Sequence, residues 1–185
     1  MDEKNENFPA TSEFEAEGTL AEDGVKVADR SSIDSLSQRG YGTVEKDVLT
    51  LAFYEALFLL DKQLLRVIDR KGTLVDFQVI LQMYEKADEN AWMHFMVYRD
   101  LRSRGYVVRE GFGEAIDFRI YERGTYGKDT APFLVLSTQE GQPLPIEDLG
   151  NALMQTQSLK KEMVLAVMNR RGEIVYYSVS SLTFK

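Results

Sequence analysis

The chain has 185 residues, 44% of them hydrophobic, no cysteine, a single histidine and a formal net charge of −8. That length supports one large domain or two small ones with a proper apolar core. The lack of cysteine excludes a disulfide framework, a thiolate nucleophile and a Cys-based zinc site, and no apolar run approaches the roughly 18 residues of a membrane span. The opening stretch MDEKNENFPATSEFEAEG has neither the basic start nor the apolar core of a signal peptide, so a cytoplasmic location is expected.

The negative charge is unevenly spread. Residues 1–24 hold eight acids against Lys4, a net of −7, which leaves about −1 for the other 161 residues. Residues 1–17 are expected to form an acidic, disordered tail that aids solubility. The remainder is close to neutral, so global charge does not decide for or against a nucleic-acid partner.

In chain order, VKVADR (25–30) alternates like a short strand and RGYGT (39–43) reads as a turn. Residues 45–60 place Leu49, Ala52, Phe53, Ala56, Leu57 and Leu60 at three- and four-residue spacing, which predicts a helix that Thr43 caps. LLRVID (64–69) reads as a strand, and helices are expected over 76–86 and 89–103, the second ended by Gly105. Beyond that point β-branched and aromatic residues dominate. Strands are expected over 106–110, 116–122, 132–136, 162–169 and 173–182, interrupted by one helix over 146–160. NRRGE (169–173) reads as a hairpin turn. The pattern predicts a mixed α+β protein, with a small N-terminal domain over 18–87 and a second domain with a mixed sheet over 88–185.

The chemistry on offer is narrow. His94 lies mid-helix between Met93 and Phe95, where a structural role is the expectation. One histidine and no cysteine give poor support for transition-metal ligation or a Ser-His-Asp arrangement, and no metal or cofactor is expected. No GxxxxGK[ST] loop occurs, and GFGEA (111–115) lacks the third glycine and preceding context of a dinucleotide fingerprint. Glu110, Glu114, Asp117 and Glu122 could suggest a metal nuclease, but no acid-x-Lys partner follows Asp117. Three features remain: Tyr121 at a strand end, Lys160-Lys161 at a helix end where the dipole favours cations, and two strands around the Gly-rich turn of YVVREGFGEAIDFRIYERG. A tyrosine and a lysine converging on one pocket would activate a hydroxyl and stabilise charge on a phosphate.

VYRDLRSRGYVVREGF (97–112), IDFRIYERG (116–124), PFLVL (132–136) and SLKKEMVLAVMNRRGEIVYYSV (158–179) resemble the archaeal tRNA-splicing endonuclease family, in that order and at the right separations. YGTVEKDVLTLAFYEALFLL (41–60) is similar to that family's N-terminal domain. The resemblance implies metal-independent removal of introns from precursor tRNA at a bulge-helix-bulge element, leaving 2′,3′-cyclic phosphate and 5′-hydroxyl ends. It also implies three roles: a Tyr as general base, a His as general acid and a Lys stabilising the transition state.

The Tyr corresponds to Tyr121 and the Lys to Lys161. The place of the His, ahead of Phe133-Leu134-Val135, holds Thr130, followed by Ala131 and Pro132. A basic residue that the family carries seven positions before the Lys is Met154 here. Threonine cannot shuttle a proton near neutral pH as imidazole does. The resemblance therefore implies a structural, non-catalytic subunit that pairs with a catalytic chain of the same fold in a dimer of dimers and contacts precursor tRNA. Its C-terminal strand (173–184) is expected in a dimer interface, and the loop LSTQEGQPLPI (136–146), with Glu140 its only acid before the next helix, is expected to dock on the partner. A weakly active endonuclease, one unit of a fused-repeat enzyme, and an RNA-binding scaffold without catalysis are the other readings.

Overall fold

The structure, a computed structural model, describes residues 16–113 and 115–181. The expected acidic tail, apart from Ala16 and Glu17, lies outside the described residues, as do Glu114 and Leu182. Ala16 and Glu17 themselves open a strand, not a tail, and Ala16 is buried.

The N-terminal half folds into β1 (Ala16–Ala21), β2 (Gly24–Val27), α1 (Arg30–Gln38), β3 (Thr43–Glu45), β4 (Val48–Leu51), α2 (Phe53–Asp61), β5 (Leu65–Ile68) and α3 (Phe77–Ala87). Its sheet runs in the order β3-β4-β2-β1-β5. All pairs are antiparallel except β1 with β5, which align in parallel from Ala16–Leu65 to Thr19–Ile68.

Two expectations fail here for identifiable reasons. The helix predicted over 45–60 is a β3–β4 hairpin followed by a helix that starts only at Phe53. Lys46 and Asp47, both with positive φ (48° and 61°), form the two-residue turn whose twist matches a hairpin. Leu49 and Leu51 alternate into the core by pairing with Val27 and Val25. Thr43 thus begins β3 and caps nothing; Glu55 instead accepts from the Ala52 amide (2.9 Å) at the helix start. The second difference is α1, which takes Arg30 from the strand expected over 25–30 and makes a helix of residues 31–38, for which the sequence pattern predicts no element. Asp29 caps it, accepting from the Ser32 amide (2.9 Å) and from the hydroxyls of Ser31 (2.7 Å) and Ser32 (2.8 Å).

The C-terminal half comprises α4 (Ala91–Ser103), β6 (Val107–Glu110), β7 (Phe118–Tyr121), β8 (Phe133–Gln139), α5 (Ile146–Ser158), β9 (Glu162–Met168) and β10 (Ile174–Val179). Its sheet order is β10-β9-β8-β7-β6, with β8 and β9 parallel across the α5 crossover and the other pairs antiparallel. The mixed α+β architecture is as expected. Strand β8 runs three residues past its expected end, so the loop before α5 begins at Glu140. Gly105, with φ of +91°, follows α4, and a Cβ there would lie 2.3 Å from the Arg123 guanidinium.

One buried cluster joins the two halves. Tyr54, Leu57 and Phe58 of α2 and Phe95, Tyr98 and Leu101 of α4 meet Phe118, Ile120 and Val135 of the second sheet. Tyr54 packs edge-on to Phe118 (5.3 Å) and tilts against Tyr98 (4.8 Å). Arg109 of β6 crosses the join, donating to the Gly40 carbonyl (3.1 Å) and to the buried Glu55 carboxylate (3.4 Å). A smaller cluster of Ile116, Leu134, Ala152 and Met163 lies on the other face of the second sheet, beneath α5.

Candidate active site

The register of the second sheet brings Tyr121 and Lys161 to one edge. Ile120 pairs with Phe133, and Phe133 with Glu162, so one step further Tyr121, Pro132 and Lys161 form the terminal row. The Glu162 amide closes that row by donating to the Pro132 carbonyl (2.9 Å). Residues directly opposite one another in a sheet share a face, and two strand spacings separate the Tyr121 and Lys161 backbones by about 9–10 Å. Two steps along the register, and so on the same face, Arg119, Leu134 and Met163 form another row, with Leu134 and Met163 packed under α5. Tyr121 and Lys161 therefore project on the α5 side of the sheet.

Each residue is held by local features. Tyr121 ends β7, and its ring meets Tyr126 edge-on at 5.1 Å. Tyr126 in turn lies against Gly40, where an added Cβ would come within 3.2 Å of its ring, so the loop after Tyr121 rests on the N-terminal half. Sequence reasoning missed this support, because nothing in GTYG marks Tyr126 as different from any other loop tyrosine. Lys161 follows the tightly wound end of α5. The amides of Lys160 and Lys161 donate back to Gln157 (2.9 Å) and Thr156 (3.1 Å), and Lys160 takes a left-handed φ of 54° that turns the chain into β9.

Thr130 stands at the same edge. The Lys161 ammonium donates to its hydroxyl at 2.5 Å, and Thr130 is exposed. The three positions singled out in the sequence, Tyr121, Thr130 and Lys161, are thus brought to one end of one sheet. Met154 is 62% exposed on α5 and carries no charge there. Glu140 is exposed directly after β8, its amide donating to the Met168 carbonyl (2.8 Å), and among the described residues its carboxylate makes no ion pair.

His94 lies elsewhere. It packs edge-on to Phe118 (6.0 Å), whose side chain points to the α4 face, opposite to that of Tyr121. Its Nδ1 meets Asp88 (2.6 Å) and its Nε2 meets Asp117 (3.3 Å). Burial works against the imidazolium, but hydrogen bonding and charge from Asp117 and then Asp88 outweigh it, holding the His94 pKa above its ordinary value. With both ring nitrogens engaged, His94 ties the α3–α4 junction to the start of β7. Among the described residues no group of three or more His, Asp or Glu side chains is placed to hold a metal ion, and no helix is long and apolar enough to cross a membrane.

Comparison with known proteins gives the chain a family. Residues 16–81 match the tRNA intron endonuclease N-terminal domain, and residues 91–176 match the tRNA intron endonuclease catalytic C-terminal domain. The chain is 30% identical over 163 residues to the tRNA-splicing endonuclease of Methanococcus vannielii, covering 88% of this chain and 92% of that protein. It is 32% identical over 166 residues to the enzyme of the same name from Pyrococcus furiosus, covering 89% and 95%. Against the tRNA-splicing endonuclease of Methanosarcina barkeri it is 31% identical over 157 residues, 84% of this chain but 44% of the longer relative.

Proposed function

Because the chain belongs to the tRNA intron endonuclease family, we propose that it is a subunit of a tRNA-splicing endonuclease and that its own catalytic set is incomplete. In this reading it acts in the cytoplasm on precursor tRNA at bulge-helix-bulge sites, with residues 18–87 as the N-terminal unit and 88–185 as the catalytic-like one. The observation that carries the proposal is the contact between Lys161 and Thr130. A neutral hydroxyl sits beside the ammonium at the place where the family resemblance implies an imidazole.

The reaction needs three things. The 2′-hydroxyl must lose its proton as its oxygen bonds to phosphorus. The charge on the phosphoryl oxygens must be held, and the departing 5′-oxygen must receive a proton. Tyr121 suits the first role and Lys161 the second, from one row and one face of the sheet. For the third, Thr130 has no proton to give near neutral pH, and His94 lies on the other face of the sheet, held by Asp88 and Asp117. No cofactor or metal enters this scheme.

The subunit then serves assembly. Strand β10 is one of the two edge strands of the second sheet, with Val175 and Tyr177 about half exposed, and it suits pairing with a catalytic chain of the same fold within a dimer of dimers. Glu140, exposed directly after β8 and without an ion pair among the described residues, suits docking into a basic pocket of that partner. The test is cleavage of a bulge-helix-bulge precursor tRNA in EDTA, by the chain alone and by the chain mixed with a catalytic partner. The expected result is cleavage in the mixture only. Efficient cleavage by the chain alone would defeat the structural-subunit reading, and absence of both activity and complex would favour a non-catalytic RNA scaffold.

A further inference from the structure

The Gly-rich turn between β6 and β7 takes no part in the roles assigned above, yet it is built to a tight specification. At Gly111 a Cβ would lie 1.8 Å from the Ile116 carbonyl oxygen, and the Gly111 amide donates to Asp117 (2.8 Å). Gly113 adopts a left-handed φ of +64°. Between these two constraints Phe112 is 40% exposed, and the Arg119 guanidinium stacks over its ring at 4.6 Å. Two further contacts fix the pair. Arg119 Nε donates to the Glu110 carbonyl (2.8 Å), and Gln155 of α5 donates to the Phe112 carbonyl (3.4 Å). Among the described residues, the two terminal nitrogens of Arg119 have no hydrogen-bond partner.

An ordinary core phenylalanine would be buried, and an ordinary surface arginine would be free to move. Here the aromatic ring is held open to solvent and a cation is clamped against it. Arg119 is two residues from Tyr121 on the same face of β7, a separation of about 7 Å. The stack thus continues the surface formed by Tyr121 and Lys161.

We propose that Phe112 and Arg119 form a stacking platform for an unpaired RNA nucleotide, with the base on the Phe112 ring and a phosphate at the free Arg119 nitrogens. Any base can stack on such a ring, so the platform recognises the unpaired state and not the sequence. An extruded bulge nucleotide is the ligand class that combines an open π-face with an adjacent negative charge. The inference deepens the proposed function and rests on its RNA substrate.

The test uses the full chain and an RNA hairpin carrying 2-aminopurine in a three-nucleotide bulge, with a fully paired hairpin as control. Binding by the unaltered chain should quench the fluorophore. F112A should weaken binding to the bulged RNA about 10-fold and abolish the quench while leaving the weaker binding to the paired control unchanged. F112W should keep both, and R119K, which retains charge but not the planar stack, should lose part of each. Unchanged affinity in F112A with a normal thermal transition overturns the proposal. If F112A does not fold, unchanged affinity in R119K does so. A failure of F112A to assemble with another subunit while RNA binding stays intact also overturns it, because the surface is then a protein contact. Absence of RNA binding by the full chain overturns the platform but not the splicing role, which the cleavage assay decides independently of Phe112.

Discussion

Replacing Thr130 by histidine tests the reading of the site most directly. Thr130 is exposed, so T130H meets little steric resistance, and a surface change of this kind alters stability by about 0.5 kcal/mol or less. The hydroxyl it removes lies 2.5 Å from the Lys161 ammonium, so an imidazole there stands beside the residue proposed to hold the phosphate, at the sheet edge that carries Tyr121. A positioned general acid contributes about 10²–10⁴-fold in rate. T130H should therefore cleave a bulge-helix-bulge precursor tRNA in EDTA about 10²–10⁴-fold faster than the unaltered chain. The gain should demand Tyr121, so T130H/Y121F should fall back to background. It should also decline as pH rises past the ordinary imidazole value of about 6.5, because the acid form does the work. Product ends report the chemistry: a 2′,3′-cyclic phosphate and a 5′-hydroxyl are expected. A folded T130H chain that binds the RNA and cleaves no faster than its parent would refute the placement of Thr130 at the leaving-group position.

K161A should weaken binding of the precursor roughly equally across RNA sequences and reduce the salt slope of log Kd by about 1, as expected for one lost phosphate contact; an unchanged slope would remove Lys161 from the RNA surface. R109M leaves the buried Glu55 carboxylate without its guanidinium partner and should cost about 3–5 kcal/mol in denaturant unfolding, whereas a loss below 1 kcal/mol would show that the amides of Gly42 and Ala52 alone satisfy it. The raised His94 pKa means that its stabilising contribution is full below the ordinary imidazole value of about 6.5 and is lost as pH rises through the folded-state value. Melting curves of the unaltered chain and H94Q should therefore converge toward alkaline pH, and parallel curves would contradict the paired imidazolium. E140K should leave the isolated chain's melting temperature unchanged and weaken its assembly with a catalytic partner, as followed by size-exclusion chromatography; unchanged assembly would eliminate the docking role.

The second half of the fold was more legible than the first, for physical reasons. Strands β6 to β10 are written in β-branched and aromatic residues, and α3, α4 and α5 show three- and four-residue apolar spacing, so only their ends shifted. In 45–60 two periods overlap. Leu49, Phe53 and Leu57 satisfy a helix, while Leu49 and Leu51 satisfy a strand. The choice falls to β2, whose Val25 and Val27 pair with Leu51 and Leu49. The turn that allows the pairing uses Lys46-Asp47, without the glycine that usually marks left-handed positions. Strand β1 was hidden because its Glu17 reads as part of the acidic run and the turn that pairs it with β2 holds Glu22 and Asp23, while its other partner, β5, lies some 50 residues away in sequence. Glu17 instead faces Arg66 across the parallel pair (3.5 Å). By contrast, α1 was within reach: Asp29 followed by Ser31 and Ser32 is a helix-start signal, with Ile33 and Leu36 three apart.

At the site, the residues singled out Tyr121 and Lys161 and the family resemblance added Thr130, but only register decides whether they can act together. The α5 crossover makes β8 and β9 parallel, and that pairing sets Lys161 level with Pro132 and so with Tyr121. A one-residue slip of β9 would turn Lys161 to the opposite face. The same register argument excludes His94 from the row, since Phe118 and Tyr121 lie on opposite faces of β7. In the proposed reading, a threonine at position 130 is also selective in what it removes. A carboxylate beside Lys161 would neutralise the ammonium and oppose a phosphate, whereas a hydroxyl hydrogen-bonds it and leaves its charge intact. In that reading, proton transfer and phosphate binding are separated at a single position. A subunit that loses the first and keeps the second still has reason to hold Tyr121, Lys161 and the Phe112–Arg119 stack on one continuous face.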